Sequence, residues 1–140
     1  MIATIENMSE KFREYNKLYF NDSLPLPKFE IMHTYKESGY FMFQKEKGKS
    51  RIKYKKIFMT DYFDFTEEMY RNILVHEMIH YYIAFNHIED NNAHGKEFTK
   101  IANELNTKYG LNITDTINAS SFKTTEKAPK VSLFFRKLFG

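Results

Sequence analysis

Apolar residues follow two different rhythms along this chain. Ile5, Met8, Phe12, Tyr15 and Tyr19 are spaced by three and four, which gathers them on one stripe of an α-helix and leaves Glu6, Glu10, Lys11 and Arg13 outside. The spacing predicts a helix over Thr4 to Phe20. Asn21-Asp22-Ser23 and Leu24-Pro25-Leu26-Pro27 then break it, because proline lacks an N–H and holds its predecessor extended. Alternation takes over at Phe29, Ile31, His33 and Tyr35, and an aromatic run follows at Tyr40-Phe41-Met42-Phe43. Arg51 to Thr60 reads as a third strand, with Ile52, Tyr54 and Phe58 on one face and Lys53 and Lys55 on the other. Three short antiparallel strands fit this stretch.

The helical rhythm returns at Asp64-Phe65-Thr66-Glu67, where Asp64 and Glu67 have capping-box spacing. This second helix should run to about Phe85. Met69, Ile73, Leu74, Val75, Met78, Ile79, Ile83 and Ala84 leave it almost no polar face, so it is expected at the centre of the core, with the Met69/Ile73 side buried. Glu89-Asp90-Asn91-Asn92 reads as a loop. Phe98, Ile101, Ala102 and Leu105 mark a third helix from Lys96 to about Tyr109, stopped by Gly110. Leu111-Asn112-Ile113-Thr114 reads as one more strand. The pattern as a whole is α+β, helices on a small three-stranded antiparallel sheet, within one domain over 1–117 and a weakly patterned tail over 118–140.

Composition narrows the partners. The 140 residues suffice for one core, and no apolar run is long enough to span a bilayer. The opening Met1-Ile2-Ala3-Thr4-Ile5-Glu6 lacks the order of a secretory signal, so a cytoplasmic protein without membrane association is expected. There is no cysteine, so any metal must be held by His, Asp or Glu. Of the net charge of +3, residues 45–56 carry +6 and residues 118–140 carry +4, which leaves −7 for the rest. The expected molecule is a slightly acidic body with a basic segment and a basic tail.

The chemistry concentrates at His76-Glu77-Met78-Ile79-His80. Positions i and i+4 share a helix face and can bring two imidazoles to one ion, while Glu77, one residue along, stands off the metal where it can act as a general base. With five His and 13 Glu in the chain, random placement gives roughly 0.02 such motifs, so chance is a poor explanation. A catalytic zinc needs a third protein ligand and an open position. Several residues compete for that place. His87 follows His80 after six intervening residues, one more than the metzincin spacing, and reads as a helix-end histidine. Glu97 is a carboxylate in a first helical turn, where the helix dipole favours acids in any case. His94, just before Gly95 at a loop-to-helix junction, is the best candidate. His33, in a strand, reads as a satisfied or half-exposed histidine.

Together with Asn91-Asn92-Ala93-His94-Gly95-Lys96-Glu97-Phe98, the 76–80 motif resembles the SprT-like metallopeptidase family, whose signature is H-E-x-x-H followed by a third histidine in an H-G-x-x-F segment. Leu18-Tyr19-Phe20-Asn21-Asp22-Ser23-Leu24 and Asn112-Ile113-Thr114 are similar to flanking parts of that family. The resemblance implies a zincin-like fold, zinc on His76, His80 and His94, and Glu77 as catalytic base in a zinc endopeptidase that uses a zinc-bound water. It leaves the oxyanion donor open among Tyr40, Tyr54, Tyr81 and Tyr82. One departure is plain: relatives often carry a cysteine zinc ribbon, which a chain without cysteine does not have, so a minimal version or a catalytic fragment is expected.

Spartan-type relatives digest proteins crosslinked to DNA, so the resemblance also implies a protein substrate and DNA, single-stranded or damaged, as a partner. Lys47, Lys49, Arg51, Lys53 and Lys55, with Lys56, alternate along the expected hairpin at phosphate-scale spacing, close to Tyr40, Phe41, Phe43 and Tyr54. A lysine-rich edge hairpin also protects against aggregation, and aromatics beside it can belong to the core. A monomer is expected. Two function classes stay open: a zinc endopeptidase, and a non-catalytic zinc-stabilised module that binds nucleic acid. The tail residues Phe134-Phe135-Arg136-Lys137-Leu138-Phe139 read as core or a local packing segment.

Overall fold

In the computed structural model, residues 1–46, 48, 51–90, 92–116 and 123–128 are described. Lys47, Lys49 and the tail from 129 onward lie outside them, as do 117–122. The order of elements is α1 (Ile5–Tyr19), β1 (Lys28–Met32), β2 (Gly39–Lys45), β3 (Ile52–Thr60), β4 (Phe63–Asp64), α2 (Glu67–Phe85), α3 (Lys96–Tyr109) and β5 (Lys123–Thr124). The fold is α+β.

Each helix starts where a side chain takes up its free N–H groups. Thr4 caps α1 in a reciprocal box with Asn7, so the helix begins where its spacing predicted. For α2 the expected Asp64 cap is corrected. Thr66 caps the helix through a bond from the Met69 N–H at 3.2 Å, because Asp64 belongs to β4 and its carboxylate accepts from the Met1 ammonium at 2.6 Å. At the far end of α3, Gly110 adopts φ +67°, the left-handed stop that a Cβ would disfavour.

The sheet departs from expectation in its topology. Its order is β1-β3-β2, β2 antiparallel to β3 but β1 parallel to it, so the sheet is mixed rather than antiparallel. Burial explains the arrangement: β3 carries the fully buried Ile57 and Met59 and takes the centre, whereas β2 exposes Tyr40 and Met42 and stays at the edge. The 33–38 connection therefore wraps around the end of β3. Thr60 holds it there, donating its hydroxyl to the Thr34 carbonyl at 2.5 Å and its N–H to the Ser38 carbonyl at 3.0 Å.

The strand face assigned from alternation is also corrected. Between Met42↔Lys56 and Gln44↔Lys53 the register slips, and Tyr54 sits at φ +54°. This bulge reverses the alternation, so Ile52 shares the buried side with Ile57 and Met59, while Tyr54 is 63% exposed and Phe58 packs outward against Tyr40. A further correction concerns 111–114, which pair with no strand among the described residues. Their backbone is instead clasped by Asn106, which accepts from the Ile113 N–H at 2.8 Å and donates to the Ile113 carbonyl at 3.0 Å.

One face of the sheet is covered by α1 and α2. Phe12 of α1 meets Phe29 of β1 and Tyr81 of α2, and Tyr81 stacks on Phe41 of β2, so a single aromatic cluster ties two helices to both edge strands. Ile73, Leu74, Val75, Met78 and Ile79 of α2 are fully buried, at about 1.5–3 kcal/mol each, and this fixes the helix at the centre as expected. Met69, in its first turn, is partly exposed instead. Residues 123–128 return to the body. Thr125 donates its N–H to the Tyr62 carbonyl and its hydroxyl to the Asp61 carbonyl, and β5 pairs with β4.

Candidate metal centre

Because α2 is locked in the core, the turn that carries His76 and His80 has a fixed direction. His94 arrives from the loop before α3. The three Nε2 atoms stand 3.3 Å (76–80), 3.2 Å (80–94) and 3.1 Å (76–94) apart. Three nitrogens about 2.0–2.1 Å from one tetrahedral ion would be separated by about 3.3–3.4 Å, so the set fits three corners around a small divalent cation. Phe98 of α3 backs all three rings, with centroids 4.8 Å from His76, 4.7 Å from His80 and 5.0 Å from His94.

The protonation pattern also suits a cation. His76 Nδ1 lies 2.8 Å from the Thr114 carbonyl, which can only accept, so Nδ1 carries the proton and Nε2 presents a lone pair to the other two rings. The 111–114 segment, clasped by Asn106, thus orients the His76 ring. Burial lowers the His76 pKa to about 4, and lowers that of His80 to about 3 with help from its two imidazole neighbours. Both rings are neutral at physiological pH, the form that binds metal.

Glu77 is buried, with Oε2 4.0 Å from His76 Nε2, beside the nitrogen cluster rather than in it. Burial pushes its carboxyl up to about 8, and the nearby Glu37 adds to the shift. Gly39, at the start of β2, lies directly over this side chain. A Cβ there would stand 3.0 Å from Ile73 Cγ2 and 3.1 Å from both Glu77 Cγ and Oε2. The wrap of 33–38 around Thr60 delivers this glycine, so the edge strand touches the helix at Glu77, beside the histidines.

The site opens into a cleft of about 960 Å³. One wall is β2, through Gly39, Tyr40, Phe41, Phe43 and Lys45. The other is α2 and its following loop, and Glu37, Asp115 and Thr116 line it as well.

Of the residues singled out from sequence, the structure brings His76, His80, Glu77 and His94 together. His87 lines the cleft but stands outside the nitrogen cluster, after the end of α2 at φ +53°. Glu97 is also outside it. His33 faces Asp61 at 2.8 Å, away from the cleft. Of the four tyrosines, only Tyr40 lines the cleft; Tyr81 is buried and donates its hydroxyl to the Pro25 carbonyl at 2.7 Å. In the basic hairpin Arg51 is engaged by Glu46 at 2.9 Å, Lys53 is exposed over the Tyr54 ring, and Lys55 is half-buried. Sequence reasoning missed Gly39, Asp90 and the Thr114 carbonyl. Only Gly39 had a sequence signal, as a glycine opening an aromatic strand.

The SprT-like family pattern matches residues 8–137, nearly the whole chain, and the chain belongs to that family. No curated protein matches it. Among the described residues, no helix is long and apolar enough to cross a membrane.

Proposed function

We propose that this chain is a zinc-dependent endopeptidase with a zincin-like arrangement, in which His76, His80 and His94 hold the ion and Glu77 is the general acid–base. The observation that carries the reading is a three-imidazole set beside a buried carboxylate, open to a cleft on one side. Structural zinc sites are closed by four protein ligands, whereas catalytic ones keep a position free. Zinc, when bound, supplies Lewis acidity to a water and to the peptide carbonyl.

The remaining work falls to the chain's own groups. As the outer strand of the order β1-β3-β2, β2 has an edge that pairs with no other strand among the described residues, and it lines the cleft, so a peptide can lie extended along it. Glu77 accepts a proton from the attacking water at a carboxylate oxygen as the new C–O bond forms. It then delivers that proton to the amide nitrogen as the C–N bond breaks, giving a carboxylic acid and an amine. Burial holds the Glu77 carboxyl protonated in the metal-free chain, and a cation on the three imidazoles would favour its ionised form, the one that accepts the first proton.

For substrates, the reading extends to DNA-bound or DNA-crosslinked proteins. Exposed Lys53 beside exposed Tyr54 on the hairpin favours contact with a single strand, through phosphate and base stacking. The test is cleavage of an unfolded protein and of a DNA-bound protein by zinc-loaded chain, with and without single-stranded DNA. Wild type should cut and Glu77→Gln should hold zinc without cutting. Salt-sensitive DNA binding with no cleavage of either substrate would favour the non-catalytic module instead.

A further inference from the structure

The third histidine is the one ligand not carried by a helix, and the structure shows what holds it. N-cap Gly95 gives α3 no side-chain cap. The free N–H groups of Glu97 and Phe98 donate instead to a single oxygen from seven and eight residues upstream, Asp90 Oδ2, at 3.1 and 3.0 Å. The other oxygen of the same carboxylate fills the space over Gly95, where an added Cβ would come within 2.1 Å of Oδ1. Between these points the chain is tightened again by Asn92, whose side-chain oxygen accepts from the His94 N–H at 3.0 Å and whose carbonyl accepts from the Gly95 N–H at 3.2 Å. His94 therefore sits in a loop closed at both ends, one closure being a carboxylate bonded to the α3 N-terminus, where negative charge is favoured.

We propose that Asp90 is the positioning residue of the metal centre: by bonding the start of α3 across Gly95 it holds His94 at the distance where its Nε2 meets those of His76 and His80. Glycine at 95 follows from the same contact, since only a residue without a Cβ leaves room for the carboxylate. The inference rests on the metal reading above and deepens it. It predicts that the pair acts as a unit. Asp90→Ala releases the loop, Gly95→Ala displaces the carboxylate and does the same, and the two together add little to either alone.

The experiment measures zinc affinity by competition with a chromophoric chelator, for wild type, Asp90→Ala, Asp90→Asn, Gly95→Ala, the Asp90→Ala/Gly95→Ala double variant, and Thr4→Ala. Asp90→Ala should bind zinc about 10–100-fold more weakly, the usual consequence of losing a group that orients a ligand. Asp90→Asn keeps an acceptor and should recover most of that loss; it carries the test if the alanine variant does not fold. Thr4→Ala removes the cap of α1, far along the chain from the site, and should leave affinity unchanged while lowering stability. Affinity within twofold of wild type in Asp90→Ala, or an equal loss in Thr4→Ala, would overturn the proposal while the metal reading stands. A wild type that binds no zinc would overturn the metal reading and this proposal with it.

Discussion

Replacing Glu77 by Gln should stabilise the metal-free protein, and by an amount that depends on pH. The folded chain keeps the Glu77 proton up to about pH 8, whereas an unfolded chain releases it near the ordinary value of 4.5. Between those values unfolding frees a proton, so the group's contribution to stability is complete below about 4.5 and is lost as pH rises through about 8. At pH 7 the unfolded chain has gained two and a half pH units of ionisation, at about 1.4 kcal/mol each, so wild type forfeits about 3 kcal/mol that Gln, which does not ionise, retains. The depressed His76 and His80 act in the opposite sense, weakening the fold as pH falls below 6.5, but they do so in both chains and cancel from the difference. Urea unfolding of chelator-treated wild type and Glu77→Gln from pH 4.5 to 8 measures that difference directly. It should open by about 3 kcal/mol between pH 4.5 and 7. A gap that stays flat across this range would refute the burial argument, and with it the view that the metal-free site holds its carboxyl protonated.

Three further substitutions test other parts of the account. Gly39→Ala places a methyl about 3 Å from Ile73 and Glu77, so it should cost about 1–3 kcal/mol and, by moving the carboxylate, lower peptide cleavage at least tenfold with zinc content retained; unchanged turnover would contradict the positioning of Glu77 by β2. Tyr54→Gly relieves a left-handed aromatic residue at the bulge and should raise the unfolding free energy by about 0.5–1 kcal/mol, whereas a loss in a thermal melt would count against that backbone conformation. Asp61, 1% exposed, holds His33 at 2.8 Å and Lys127 at 3.2 Å. Asp61→Ala should cost about 1–2 kcal/mol, moderated because both partners stay largely in water, and should speed hydrogen exchange at the Thr125 N–H, which bonds to Tyr62; unaltered exchange would show that Asp61 does not secure residues 123–128.

The helices were legible from sequence because their signals are local. The 3-4 spacing of Ile5 to Tyr19, the apolar density of α2 and the Gly110 stop each report a preference held within a few residues, and those elements lie where the spacing put them. The clustered histidines were legible for a similar reason: two of them share a helix face, and a third imidazole stood beside a glycine at a junction. What the pattern missed depends on partners distant in sequence. Alternation in β1 and β3 is the same whether the strands run parallel or antiparallel, so the mixed sheet could not be read from it. The Tyr54 bulge interrupts alternation at an aromatic residue, which gives no turn signal. Thr66 won the cap over Asp64 through the contact between Asp64 and the distant amino terminus. Asp90 looked like an ordinary loop acid, and its role follows from the path by which the chain folds back onto α3.

The central claim is that three imidazoles, two from α2 and one from the loop before α3, close around one ion. X-ray absorption at the zinc edge, on wild type and His94→Ala loaded with one equivalent of zinc, tests it most directly. Wild type should show three imidazole nitrogens at about 2.0–2.1 Å and no sulfur, and His94→Ala should lose one of the three. An identical imidazole count in the two proteins would mean that His94 is not a ligand, and the account of this site would be wrong.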